Sequence, residues 1–166
     1  MSSPSSVTLA IYDLSSGLAA SLSLPLLGVS IPLVPHTGVL LNGEEFFFGG
    51  GIQRTSHRAF QARFGGAVLK YYVDLGRTAA TPADVDAWLS ANAHRYTAAR
   101  YRLLEHNCNN FADDFARSCL GTARGVPREV LDVPRVLVGS LMGRQMTLWL
   151  EGFYVLLAAQ ALVPPP

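Results

Sequence analysis

Cys108 stands in the polar run Glu105-His106-Asn107-Cys108-Asn109-Asn110, just ahead of an apolar pattern that continues through Phe111 and Phe115 to Cys119. A thiol in the first turn of a helix faces the positive end of the macrodipole, which lowers its pKa and favours the nucleophilic thiolate. Backbone N–H groups of that turn lack helical partners and suit an oxyanion. What the run lacks is a base that takes the thiol proton and later protonates a leaving group. The chain has four histidines. His106 is too close to Cys108 in sequence to face it, His57 falls in a loop, and His94 falls on the polar side of a helix. His36, at the start of a strand, has a rigid mount and comes from elsewhere in the chain, which makes it the best-placed base. A small buried residue is the competing reading of either cysteine, and Cys119 suits it well. A plain core-edge histidine is the competing reading of His36.

The elements that must position these residues read as follows. Val7–Asp13 is a strand ended by a Ser-Ser-Gly turn, and Gly17–Gly28 holds a short helix stopped by Pro25. His36–Leu41 and Glu44–Phe48 are strands joined by Asn42-Gly43, a pair that favours a two-residue type I′ turn because both positions need positive φ. Residues 49–66 read as a loop, and Ala67–Gly76 as a further strand. A helix starts at Pro82 with Thr81 as cap and Asp84 in its first turn, and Val85, Trp88, Leu89 and Tyr96 form its buried stripe. Tyr101–Leu104 is an extended link into the cysteine helix, which Gly121 stops. After Pro127 and Pro134 comes an apolar helix or helix pair. Strands followed by helices point to an α+β fold, an antiparallel sheet with helices to one side.

Composition bounds the function. With 49% hydrophobic and 15% charged residues and a net charge of +1, the 166-residue chain suits one domain with a real core. The closest basic grouping, Arg95, Arg100 and Arg102, makes no stripe for nucleic acid. Two cysteines are too few for a disulfide framework or a cysteine-rich zinc site. On one helix their backbones stand about 16 Å apart, far beyond the roughly 7 Å that a disulfide spans. Free thiols fit a reducing compartment, and the start of the chain does not read as a signal peptide. Arg144 and Glu151 interrupt the longest apolar stretch, so no transmembrane span is expected.

Four segments together resemble the PPPDE family, circularly permuted papain-fold cysteine peptidases, and within it the type-one desumoylating isopeptidases. They are "IYDLSSGLA" (11–19), "HTGVLL" (36–41), "EEFFFGGGI" (44–52) and "LLEHNCNNFADDFA" (103–116). The resemblance implies a peptidase domain over 7–134, after a loose tail at 1–6 and before an apolar helical extension at 135–166. It maps a catalytic dyad onto His36, as general base and acid, and Cys108, as nucleophile, with no cofactor and no metal. The Cys108 N–H, with Asn107 or Tyr12, is the expected oxyanion donor. It implies a cytoplasmic and nuclear homodimer with its active-site groove at the subunit interface, which removes SUMO or another ubiquitin-like modifier from lysines of target proteins. The chain departs from the family pattern at 53–66 and in its tail, where Trp149, Phe153 and Tyr154 suit a partner, a membrane surface or the domain's own core. Two other functions fit the same residues: a thioesterase or lipid acyl hydrolase, since lecithin-retinol-acyltransferase-like enzymes share an "NC" helix start and an apolar tail, and a catalytically silent module that binds ubiquitin-like proteins.

Overall fold

The computed structural model describes residues 3–63 and 67–140. Its centre is a five-stranded antiparallel sheet in the order β4-β3-β2-β1-β5. The strands are β1 (Ser5–Asp13), β2 (Pro35–Leu41), β3 (Glu44–Phe48), β4 (Ile52–Ser56) and β5 (Val68–Thr78). β1 therefore starts two residues before the expected Val7. Asn42 and Gly43 sit at φ 52° and 82°, as the type I′ turn requires. That turn sets the β2–β3 register, which pairs Val39 with Phe46 and Leu41 with Glu44.

Successive side chains of a strand point to opposite faces, so the sheet separates two apolar compartments. One holds Leu9, Ile11, Val39, Leu41, Phe46 and Phe48, packed against Phe111 and Phe115. The other is smaller and holds Ala10, Tyr12, Phe47 and Phe60. The first is covered by the main helical layer: α3 (Pro82–Asn92), α4 (Cys108–Asp114), and the short α5 (Arg128–Leu131) and α6 (Val133–Gly139).

The stretch expected as a loop at 49–66 instead forms β4 and a one-sided cover for the second compartment, α2 (His57–Arg63). "IQRTS" carries almost no apolar pattern because it is an edge strand. It is held by its ladder to β3 and by Arg54, which donates to Glu44 at 2.9 and 2.6 Å and to Asp86 at 2.8 Å. Helix α1 (Leu18–Leu27) also corrects an expectation: Pro25 lies inside it, and Gly28 ends it in the left-handed region with its N–H on the Leu24 carbonyl. A proline near the end of so short a helix forfeits one hydrogen bond without stopping it.

At α3 the reading holds in detail. Thr81 and Asp84 form a reciprocal capping box with Pro82 in the first turn. Val85 is buried, with Trp88 and Leu89 packed beside it, but Tyr96 joins this core from beyond the helix end. Tyr101–Leu104 is not extended, since Arg102 and His106 exchange backbone hydrogen bonds across a tight turn. The expected contacts of Trp149, Phe153 and Tyr154 lie outside the described residues. Among the described residues, no helix is long and apolar enough to cross a membrane.

Candidate active site

Asn107 caps α4: its side-chain oxygen accepts the N–H groups of Asn109 and Asn110 at 2.8 and 3.2 Å, and Asn110 Oδ1 accepts the Asn107 N–H at 3.1 Å. Its Nδ2 donates to the Leu103 carbonyl at 2.7 Å. Both ends of this amide are therefore engaged in starting the helix. The Phe111 N–H goes to the Asn107 carbonyl, and the Cys108 N–H lies beside its own sulfur, where it favours the thiolate. Beyond Asp114 the chain continues through a single π-type turn at Phe115–Cys119 and ends at Gly121, φ 61°. Cys119 is half-buried and packs against the main core, and burial, with Asp84 nearby, pushes its thiol up to about 11.

Cys108 lies against the start of β2. The Thr37 hydroxyl donates to Asn109 Oδ1 at 3.0 Å and lies 3.4 Å from the Cys108 carbonyl. The Cys108 thiol donates to Asn109 Oδ1 at 3.6 Å, and the Tyr101 hydroxyl donates to the sulfur at 3.9 Å. Thr37, Tyr101 and Asn109 were not among the expected site residues. For Thr37 the signal was present in strand alternation, because Thr37, Val39 and Leu41 share the face that meets the cysteine helix.

The same alternation sends His36 the other way. Its ring stacks on Phe60 with centroids 5.6 Å apart, meets Phe47 edge-on at 5.6 Å and lies 6.0 Å from Tyr12. The structure thus brings Cys108 to within one residue of His36 along β2, but thiol and imidazole face opposite sides of the sheet. Tyr12, paired with His36 across β1 and β2, is on the His36 side and away from Cys108.

Below Tyr12 lies a connected polar group. Tyr12 donates to Glu45 Oε2 at 3.0 Å, and His57 donates Nδ1–H to the same oxygen at 2.7 Å. Tyr72 completes the chain, its hydroxyl 2.8 Å from His57 Nε2. Burial raises the Glu45 carboxyl, and the bonds from His57 and Tyr12 pull it part of the way back. His57, expected in a loop, therefore opens α2 and anchors it. His106 donates Nε2–H to the Arg95 carbonyl at 2.8 Å and stacks on Tyr96, while His94 is exposed just beyond α3.

The thiol differs electrostatically from the expectation. Burial raises the Cys108 pKa, and the Thr37 N–H, the Tyr101 hydroxyl and the Asn109 N–H offset only part of that rise. Burial likewise lowers His36 to about 4. At neutral pH the resting pair is a neutral thiol and a neutral imidazole, because desolvation outweighs the helix-end field.

Cys108 opens into a cavity of about 360 Å³ between α1, the start of β2 and α6. Asp13 stands behind the lining of this cavity and holds two of its members, Ser15 and Val34. Its carboxylate accepts from the N–H and hydroxyl of Ser15 at 2.9 and 2.6 Å, from Val34 at 3.0 Å and from Gly17 at 2.8 Å. Burial pushes this carboxyl up, but the bonds from Ser15, Val34 and Gly17 outweigh it and hold it below the usual range. Ser23 accepts the Ile31 N–H at 2.8 Å and ties α1 to the segment before β2. Among the described residues, no group of His, Cys, Asp and Glu is arranged to hold a metal ion.

An antiparallel sheet backed by a helix that begins at a cysteine, with the strand-borne histidine earlier in the chain, is the permuted papain-like arrangement of the thiol peptidases. Residues 5–149 match the family described as "PPPDE putative peptidase domain", and the chain belongs to that family. It is 32% identical over 154 residues to "Desumoylating isopeptidase 1" of Homo sapiens and 31% identical to that of Rattus norvegicus, each match covering 90% of this chain and 86% of the relative. The protein of the same name from Xenopus laevis is 30% identical over 145 residues, covering 86% of this chain and 82% of the relative.

Proposed function

We propose that the protein is a thiol isopeptidase that removes SUMO or another ubiquitin-like modifier from target lysines, with Cys108 as nucleophile. The names of its relatives and its peptidase family support the reaction class. The observation that carries the choice of nucleophile is the position of Cys108 at the start of α4, opening to a cavity, while Cys119 packs into the core margin. The Cys108 sulfur attacks the carbonyl of the modifier's C-terminal glycine. The Cys108 N–H stabilises the oxyanion, the lysine amine leaves with a proton, and water releases the thioester.

His36 serves as base and acid once its ring leaves the Phe47–Phe60 slot and turns about the start of β2. Two features support this movement. The Thr37 N–H, one residue away, is near enough to the sulfur to favour its thiolate, and the β2–β3 ladder stops at Val39, so no β3 pairing blocks that side. Both groups are neutral at rest, so reactivity appears only when substrate draws them together. The exposed leucines of α1, Leu18, Leu22, Leu24 and Leu26, supply an apolar face that a homodimer would cover.

The test is turnover of a fluorogenic SUMO C-terminal amide and of a lysine-linked SUMO conjugate. Cys108→Ala is expected to abolish both, and His36→Ala to slow both by about 100-fold or more. Normal cleavage by Cys108→Ala would exclude this nucleophile, and normal cleavage by His36→Ala would move the base elsewhere.

A further inference from the structure

Glu45 and Tyr72 stand on strands that are not neighbours. Two strands, β2 and β1, lie between β3 and β5, which is about 14 Å at the ordinary strand spacing. Gly38 and Ala10 form the floor of that gap: Gly38 pairs with Ala10, and Ala10 with Tyr72. Neither carries more than a methyl group, and the Glu45 carboxyl lies over Gly38, where a Cβ would meet Oε1. His57, at the junction of β4 and α2, crosses the remaining distance. It meets Glu45 Oε2 through Nδ1 at 2.7 Å and the Tyr72 hydroxyl through Nε2 at 2.8 Å.

The direction of the protons follows from the inner end. Glu45 Oε2 accepts from Tyr12 at 3.0 Å and from His57 Nδ1–H, so the neutral ring keeps its lone pair on Nε2. The Tyr72 hydroxyl donates to that lone pair. Hydroxyl, imidazole and carboxylate therefore stand in the order, and at the separations, with which serine hydrolases activate a hydroxyl. Exposure rises along the relay, from 0% at Glu45 through 22% for the His57 side chain to 48% at Tyr72. The orienting carboxylate is out of water, and the hydroxyl is within reach of it. Cys108 lies across the sheet, so this relay is separate from the thiol site.

We propose that Tyr72 is a second nucleophile, a site of covalent modification that His57 and Glu45 prime to take an acyl group from an activated acyl donor. The Tyr72 oxygen bonds to the carbonyl carbon of the donor while its proton passes to His57 Nε2. The bond from that carbon to the leaving group then breaks, and the leaving group takes the proton from Nε2. An activated acyl compound and a phenol become an aryl ester and a protonated leaving group, with no oxidant or reductant. His57 and Glu45 end as they began. The Cys108 reaction has no part in this transfer.

The experiment treats the 166-residue chain with N-acetylimidazole near neutral pH and follows each site by tandem mass spectrometry. Tyr71 is the internal reference. It is 42% exposed, but alternation along β5 turns it to the other face, away from His57. Tyr72 is expected to acetylate at least about tenfold faster than Tyr71, and hydroxylamine should remove the adduct, as an aryl ester requires. His57→Gln should slow Tyr72 at least about tenfold and leave Tyr71 unchanged. A histidine that merely covered Tyr72 would do the opposite, because its loss would expose the hydroxyl and speed the labelling. Glu45→Gln should give a rate between the two. Equal rates at the two tyrosines in the wild type, which needs no variant to fold, overturn the proposal. So does Tyr72 labelling that is unchanged or faster in His57→Gln.

Discussion

The imidazole of His36 stacks on the ring of Phe60, with centroids 5.6 Å apart and planes 8° from parallel. Together with Phe47 and Tyr12, Phe60 makes a slot from which water is excluded. A neutral imidazole suits it and an imidazolium does not, so the histidine most expected to carry protons rests where protonation is least favourable.

Stability should record this in acid. The unfolded His36 titrates near 6.5 and the folded one at about 4. Between those values the unfolded chain binds a proton that the folded chain refuses, so the His36 contribution is complete above pH 6.5 and is lost as pH falls toward 4. The loss amounts to about 3 kcal/mol. His36→Phe keeps an aromatic ring in the slot without the titration. Urea unfolding at pH 7 and pH 4 should show the wild type losing about 3 kcal/mol more than this variant.

Cysteine reactivity gives a second prediction. Burial raises both thiols, Cys119 to about 11. Iodoacetamide should label Cys108 slowly at neutral pH, with a rate that climbs above the ordinary thiol range. Tyr101→Phe removes a hydroxyl that favours the thiolate, and should move the Cys108 inflection further up. Peptide-resolved mass spectrometry across pH provides the measurement, and a Cys108 rate that levels off below pH 7 would contradict the burial argument.

Gly38 and Glu45 should behave as one unit. A Cβ built on Gly38 lands on Glu45 Oε1 and its side-chain carbons, and Glu45 is fully buried with its other oxygen held by Tyr12 and His57. Gly38→Ala should cost about 1–3 kcal/mol through overpacking. In a Glu45→Ala background the same change should cost much less. A double-mutant cycle by urea unfolding measures that coupling, and additive effects would mean that the two do not touch.

The cysteine helix depends on its cap. Asn107→Ala removes the acceptor for two N–H groups and should cost about 1–2 kcal/mol. Asn107→Asp keeps the oxygens and should recover much of this in urea unfolding. Because the cap sets the orientation of Cys108, SUMO-substrate turnover should fall for the alanine variant more than for the aspartate variant.

Parts of this architecture could be read before any coordinates. Asn42-Gly43 announced its hairpin and Thr81-Pro82 its helix, because each depends on local backbone chemistry. Cys108 at the start of α4 was legible for the same reason. β4 and α2 were not, because "IQRTSHRAF" is held by strand pairing, by Arg54 ion pairs and by His57 on Glu45, none of which leaves a periodic trace. The electrostatics were half legible: the helix-end field follows from position, but the burial that overrides it is a tertiary property. The direction of His36 lay in the alternation of β2, where Thr37, Val39 and Leu41 already marked the face toward the core helix.

The Asn42–Gly43 turn consequently governs more than a change of direction. By fixing how β2 lies against β3, it settles the parity of the strand: odd-numbered residues from Pro35 to Leu41 meet the cysteine helix, and even-numbered ones meet the aromatic slot. One peptide bond and the full thickness of the sheet separate His36 from Thr37. A slip of a single residue would exchange every side chain between the two compartments, trading the Thr37 hydroxyl for an imidazole at the first turn of the cysteine helix. The reactivity of the thiol is thus tied to whether a count of residues, made from a turn at the other end of the strand, comes out odd or even.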